Sequence, residues 1–140
     1  MKTLAILIIS CCFVAVSKAA MTEAQMKVLQ MIIAECAEKE KATQADLEEL
    51  MAHKPATSRT AKCHRACMHE TFGTMKDNKF NSEGFLAMIN MKYKGDAAKM
   101  KIAQDVTKDC ENIADSDRCE AGAKICKCLY GSTTSRGLDN

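Results

Sequence analysis

The chain has 140 residues, with 20 Lys and Arg against 18 Asp and Glu and a formal charge of +2. Its length suits one small domain. No basic stripe argues for nucleic acid and no polybasic tail for an anionic membrane surface, so both partner classes are excluded at the outset.

At the N-terminus, Lys2 is the only charge ahead of an apolar run from Leu4 to Val16, and Ser17 and Ala19 are small where a signal peptidase reads. Residues 1–19 therefore read as a secretory signal peptide, with cleavage after Ala19 or Ala20. The run is shorter than the ~20 residues needed to span a bilayer, which argues against a membrane anchor. It also continues past Cys11, which argues against lipidation there. Cleavage takes Lys2 and Lys18 with it, so the expected secreted, extracellular domain, residues 20–140, carries 18 basic against 18 acidic groups. It contains no Asn-x-Ser/Thr sequon.

After the signal the sequence reads as helix after helix. Residues 22–39 carry Met26, Leu29, Ile32, Ile33 and Cys36 at helical spacing. Thr43, with Asp46 three residues on, can cap a second helix whose buried edge is Leu47, Leu50 and Met51. Pro55 lies in a turn segment from His53 to Thr60. A third helix follows from about Thr60 to Thr71, then a connector from Phe72 to Phe80 with the polar turn Lys76–Asn78. Ser82 is the expected cap of a fourth helix bearing Phe85, Leu86, Met88 and Ile89. A fifth runs from Asp96 to Cys110 and is expected to bury Ala98, Ile102, Ala103, Val106 and Cys110. A sixth runs from about Arg118 to Tyr130. Residues 131–140 form a polar tail expected to be poorly ordered unless something holds it. The fold class is all-α.

Seven cysteines survive cleavage: Cys36, Cys63, Cys67, Cys110, Cys119, Cys126 and Cys128. In an oxidising compartment this count reads as three disulfides with one thiol left over. The stretch CHRAC, Cys63 to Cys67, stacks two sulfurs on one helical face. They are too close along one helix to bond each other comfortably, so each should reach a different neighbour. A zinc half-site is the competing reading of that spacing. On the sixth helix, Cys119 and Cys126 share a face at ~100° per residue while Cys128 lies opposite. If that helix is bridged to two partners, Cys119 and Cys128 are the better anchors and Cys126 is the spare.

The spacing Cys36-x26-Cys63-x3-Cys67-x42-Cys110-x8-Cys119-x8-Cys128 resembles the six-cysteine pattern of insect odorant-binding proteins, including the pheromone-binding and general odorant-binding types. The match covers nearly the whole mature chain. It implies a six-helix, disulfide-bridged domain around an apolar pocket, paired Cys36–Cys67, Cys63–Cys119 and Cys110–Cys128. Cys126 falls outside the pattern, and burial, an intermolecular bridge and competition with Cys128 all stay open for it. Some moth members carry a longer tail that enters the pocket in acid; the 12 residues after Cys128 are short and polar, and that switch is not carried over.

No Ser-His-Asp arrangement, phosphate loop or carboxylate pair points to catalysis, and no cofactor or metal is expected. His53, His64 and His69 read as surface or partly exposed side chains, or else as a group whose protonation loosens the fold. Nine of the ten methionines lie beyond the signal, and a methionine-rich wall adapts to several ligand shapes. The candidate lining is Met26, Leu29 and Ile33 from the first helix, Met75 from the connector, and Phe85, Met88 and Ile89 from the fourth. Ile102 and Val106 from the fifth and Ile125, Leu129 and Tyr130 from the sixth complete it, with plain core packing as the alternative for each. Tyr130 or Tyr93 can supply one polar handle. The resemblance implies a small hydrophobic ligand (an odorant, a pheromone or a related lipophile), a membrane odorant receptor as downstream partner, and leaves a homodimer open. The alternative is a secreted helical interaction module without a cavity.

Overall fold

The computed structural model describes residues 21–138. The expected signal peptide and its cleavage site lie outside the described residues. Among the described residues there are six helices: α1 (Glu23–Glu40), α2 (Gln44–Met51), α3 (Arg59–Phe72), α4 (Ser82–Tyr93), α5 (Ala97–Cys110) and α6 (Arg118–Ser135). Between α3 and α4 lies a small antiparallel ribbon, β1 (Met75–Lys76) and β2 (Lys79–Phe80). Its two turn residues, Asp77 and Asn78, both have positive φ, as a tight two-residue hairpin requires.

The helix starts follow from capping chemistry. Thr22 and Gln25 form a capping box on α1, Thr43 and Asp46 another on α2, and Ser58 accepts from the Ala61 N–H on α3. Asp96 caps α5 and Asp117 caps α6. For α4 the expectation of a Ser82 cap fails. Ser82 is already the first helical residue, and the cap position is Asn81, which makes no capping bond. The Asn81 side chain instead donates to the Gly73 carbonyl at 2.8 Å, tying α4 to the end of α3. Gly73 ends α3 with φ 77°, a left-handed position that suits a residue without Cβ.

The largest interface joins α3 to α6. Gly122 of α6 meets the backbone of Ala66 so closely that no side chain fits between them. Three disulfides join Cys36 to Cys67, Cys63 to Cys119 and Cys110 to Cys128, the pairs that the family pattern implies. They tie α1 to α3, α3 to α6 and α5 to α6; closing loops of 31, 56 and 18 residues is worth ~2–4 kcal/mol each. Cys126 lies outside the disulfides and is buried. Arg118 adds an ionic tie: its guanidinium bonds Glu70 at the end of α3 and Glu40 at the end of α1.

The apolar interior falls into two groups. One joins Met75, Phe80, Phe85, Ile89, Ala103, Val106, Ile125, Leu129 and Leu138. The other joins Leu29, Cys36, Leu50, Cys67, Met68 and Cys126. Ala98, expected in the core, is exposed, because the buried face of α5 begins only at Ala103. On α2 the buried pair is Leu50 and Asp46, while Leu47 and Met51 are half-buried.

The C-terminal segment departs most from expectation. α6 continues past Tyr130 to Ser135, and Leu138 is fully buried. Gly137, at φ 67°, lets the chain turn back, with the Leu138 N–H donating to Thr133 O and the Gly137 N–H to Thr134 O. Asp109 holds this end by accepting from Ser132 at 2.5 Å and from Arg136 at 2.6 and 2.9 Å. The Leu138 carbonyl accepts from the Tyr93 hydroxyl and from Lys99, both at 2.9 Å.

Candidate ligand-binding site

Of the anticipated lining residues, all but Tyr130 divide between the two apolar groups; Tyr130 belongs to neither and stacks on His53. Met75, Phe85, Ile89, Val106, Ile125 and Leu129 are all nearly inaccessible in the first, with half-buried Ile102 against them. Leu29 belongs to the second, and Met26 and Ile33 pack half-buried on its surface. Met88 alone among them packs against both groups. With Met21, Ile32 and Phe72 it packs half-buried over the second group. An unbranched methionine shifts shape at low cost, so a wall containing Met21, Met26 and Met88 beside buried Met68 can move to admit a chain.

A separate cleft of about 540 Å³ opens beside the Cys110–Cys128 disulfide, between Ile113 and Gly131. Lys124 and Asp109 border it, and each is engaged in an ion pair elsewhere. None of the anticipated lining residues borders that cleft.

The polar groups around the interior are set by α3. His64 and His69, expected near the surface, are 1% and 0% exposed. They are five residues apart, yet each finds its own partner. His64 Nε2 lies 3.0 Å from the Ile33 carbonyl. A carbonyl only accepts, so the ring carries its proton there and joins α3 to α1. Burial pushes the His64 imidazole below its ordinary value, and the Ile33 contact opposes that only in part. His69 Nδ1 pairs with Thr74 Oγ1 at 2.7 Å, across the turn that ends α3.

Asp46 is a third buried polar group. Burial alone raises its pKa, but hydrogen bonds from Ser58, Thr60 and Thr43 outweigh that and hold the carboxyl at about 2. These bonds fix the α2–α3 turn. In that turn His53 adopts a left-handed conformation and stacks on Tyr130, with ring centroids 5.1 Å apart and planes at 20°. The next residue, Lys54, offers its carbonyl to Arg65 Nη2 at 2.8 Å. Of the two tyrosines considered as polar handles, Tyr93 spends its hydroxyl on Leu138. Sequence reading missed the burial of Arg65, Leu138, His64 and His69. Arg-Gly-Leu at 136–138 was a signal for the turn at the end of α6, but nothing local announces burial of an arginine.

Among the described residues, no group of three or more His, Cys, Asp and Glu is placed to hold a metal, and no helix is long and apolar enough to cross a membrane.

The PBP/GOBP family profile matches residues 18–132. General odorant-binding protein 19d of Drosophila melanogaster is 32% identical over 107 residues, covering 75% of this chain and 71% of its own. General odorant-binding protein 28a of the same fly is 33% identical over 99 residues, covering 69% of each. The solved structure of the Drosophila melanogaster odorant-binding protein dmelOBP28a superposes with a TM-score of 0.69 at 30% identity, over 83% of this chain and 98% of that one. The fatty acid binding protein OBP56a of the blowfly Phormia regina shares the fold, with a TM-score of 0.66 at 24% identity over 82% and 96%. With a family match over most of its length, relatives above 30% identity and the same six-helix, three-disulfide frame, the chain belongs to the PBP/GOBP family of odorant-binding proteins.

Proposed function

We propose that the protein is a secreted, non-enzymatic carrier that takes small hydrophobic molecules into its interior and moves them through aqueous extracellular fluid. The observation that carries this reading is the half-buried wall of Met21, Met26, Ile33, Phe72 and Met88, over a base locked by the Cys36–Cys67 disulfide. A rigid base under a deformable lid suits flexible aliphatic ligands. The relatives named as odorant-binding proteins support it, as does the blowfly protein of the same fold that is named for binding fatty acid. The lining is the residue set anticipated above, with Met88 at the junction of the two apolar groups. Delivery to a membrane odorant receptor is the downstream step that this family membership suggests.

A second reading rests on α1, where Val28 and Met31 are 54% and 59% exposed and three residues apart on one helix. That patch favours contact with a protein, either another partner or a second copy of this chain.

Native mass spectrometry of the secreted protein against long-chain alcohols, aldehydes and fatty acids separates the two. A one-to-one adduct that leaves on denaturation supports the carrier. An unchanged native mass across the panel moves the interaction module ahead.

A further inference from the structure

The three disulfides differ in how a reagent in solution can reach them. Cys36 and Cys67 are both buried, at 2% and 4% exposed, inside the second apolar group. The Cys63–Cys119 bridge has one half-buried member, Cys63, but it lies three residues from the Ala66–Gly122 contact, where α3 and α6 press together. The residues beside it, Lys62 and Glu120, pair at 2.8 Å, so their charges cancel. The Cys110–Cys128 bridge differs from both. Cys128 is half-buried and borders the cleft of about 540 Å³, whereas Cys110 is fully buried and does not.

The cleft itself has a shape and a charge. Its volume is that of a small-molecule site. Gly131 forms part of its wall, and a Cβ built there meets nothing within 4 Å. A glycine inside a helix is costly, and a packing reason such as the one Gly122 has is absent at Gly131, whose missing side chain leaves the cleft open. Two of the three charged residues at the rim are spoken for. Asp109 accepts from Arg136 and Ser132, and Lys124 pairs with Asp115 at 2.6 Å. Lys127 is exposed and makes no ion pair among the described residues. One uncompensated positive charge therefore stands next in sequence to the reachable half of a disulfide. Cys126 does not share the cleft: it lies about 200° around α6 from Cys128 and belongs to the second apolar group.

We propose that this cleft is a thiol-exchange site: it takes a small anionic thiol of the glutathione type, whose carboxylate meets Lys127 and whose sulfur attacks Cys128 Sγ. The incoming thiolate forms a new S–S bond to Cys128. The Cys110–Cys128 bond breaks, its electron pair leaves on Cys110, and Cys110 takes up the proton that the thiol lost. The thiol sulfur is oxidised as Cys110 is reduced, and the chain gains one whole thiol molecule. Attack runs along the S–S axis from the Cys128 side, which is the side the cleft opens. Cys110 stays beside the mixed disulfide and can return to it, so the modification is reversible. Of the three bridges this is the one that reaches α5, and its neighbour Asp109 holds Ser132 and Arg136. Opening it loosens α5 and the end of α6 while α1, α3 and α6 stay crosslinked. The rival reading is a plain surface gap, with the bridge reduced only when the whole domain unfolds.

The test treats the folded, secreted protein with glutathione at pH 8, quenches in acid, and reads intact mass and non-reduced peptide maps. The first product should carry one glutathione on Cys128, with Cys110 newly open to alkylation and the other two bridges intact. Cysteamine, a cationic thiol, separates charge from access. Lys127→Glu should lower the ratio of glutathione to cysteamine rates by about threefold or more. Gly131→Leu, which fills the cleft, should slow both thiols. On the wild type alone, the rate should stay flat in low urea, because reaction through global unfolding would rise steeply with denaturant. A first adduct on another bridge overturns the proposal, as does loss of all three bridges together or a rate that climbs from the first addition of urea. An unchanged rate ratio in Lys127→Glu overturns the anion site.

Discussion

Gly122 stands against Ala66 at a separation no other residue tolerates: a Cβ built on Gly122 comes within 2.4 Å of the Ala66 Cα. Both helices are held there by the Cys63–Cys119 bridge, three residues away on each chain segment, so they cannot part easily. Gly122→Ala should therefore destabilise the fold by ~1–3 kcal/mol or more, despite the ~1 kcal/mol that alanine gains in helix propensity. Gly131, on the same helix, has open space where its Cβ would be. Gly131→Ala should stabilise by roughly 0.5–1 kcal/mol. Urea unfolding of the two variants should move in opposite directions, and a common direction would refute the packing account.

Leu138 should behave as a core residue although only two residues follow it in the sequence. Leu138→Ala is expected to cost ~2–5 kcal/mol, in line with other fully buried leucines. Tyr93→Phe, which removes the hydroxyl donated to the Leu138 carbonyl, should cost ~0.5–1.5 kcal/mol. Thermal unfolding of each decides it. A Leu138→Ala midpoint equal to that of the wild type would mean the segment is not docked.

Stability should fall on acidification in two separate windows. Unfolded, the His64 ring titrates near 6.5; folded, burial holds it lower. Its contribution is whole above pH 6.5. Below that, the unfolded chain takes a proton the folded chain refuses, so stability declines until the pH passes the folded value. Asp46 acts later: its contribution is present above 3.8 and is lost as pH falls through about 2. Urea midpoints between pH 8 and 5 should drop for the wild type and stay flatter for His64→Gln, whose amide can still donate to Ile33. Identical slopes would show that His64 does not carry the first window.

Cys126 should resist alkylation in the folded protein, since it is 1% exposed within the α1–α3–α6 core. Iodoacetamide without reductant should leave the native mass unchanged and add one label after unfolding in guanidinium. Labelling in the native state at the rate of the unfolded chain would contradict its burial, and two or more labels after unfolding would contradict the three bridges.

Much of the frame was legible in the residues themselves. Apolar spacing, Thr43 with Asp46, and Asp96 all act within a turn or two of chain, so the helices and most of their starts could be read locally. The cysteine spacing carried the family, because gaps between crosslinked residues record which helices must meet. Ser82 and Ala98 were misread for the same reason that these succeeded. The local pattern allowed a Ser82 cap and a buried Ala98, but in the fold the cap position falls to Asn81 and Ala98 stays exposed while Ala103 is buried as expected.

What only the tertiary structure decided is where polar residues find their partners. His64 is buried because Ile33, 31 residues away, presents a carbonyl to it. Leu138 is buried because Tyr93, 45 residues away, holds its backbone, and Arg65 because the turn after α2 folds over it. A polar group enters a core only when a hydrogen-bond partner waits there, and such partners come from distant segments that periodicity along one helix cannot register. The apolar stripe is a property of one helix, whereas the polar edge of the site is a property of three helices brought together.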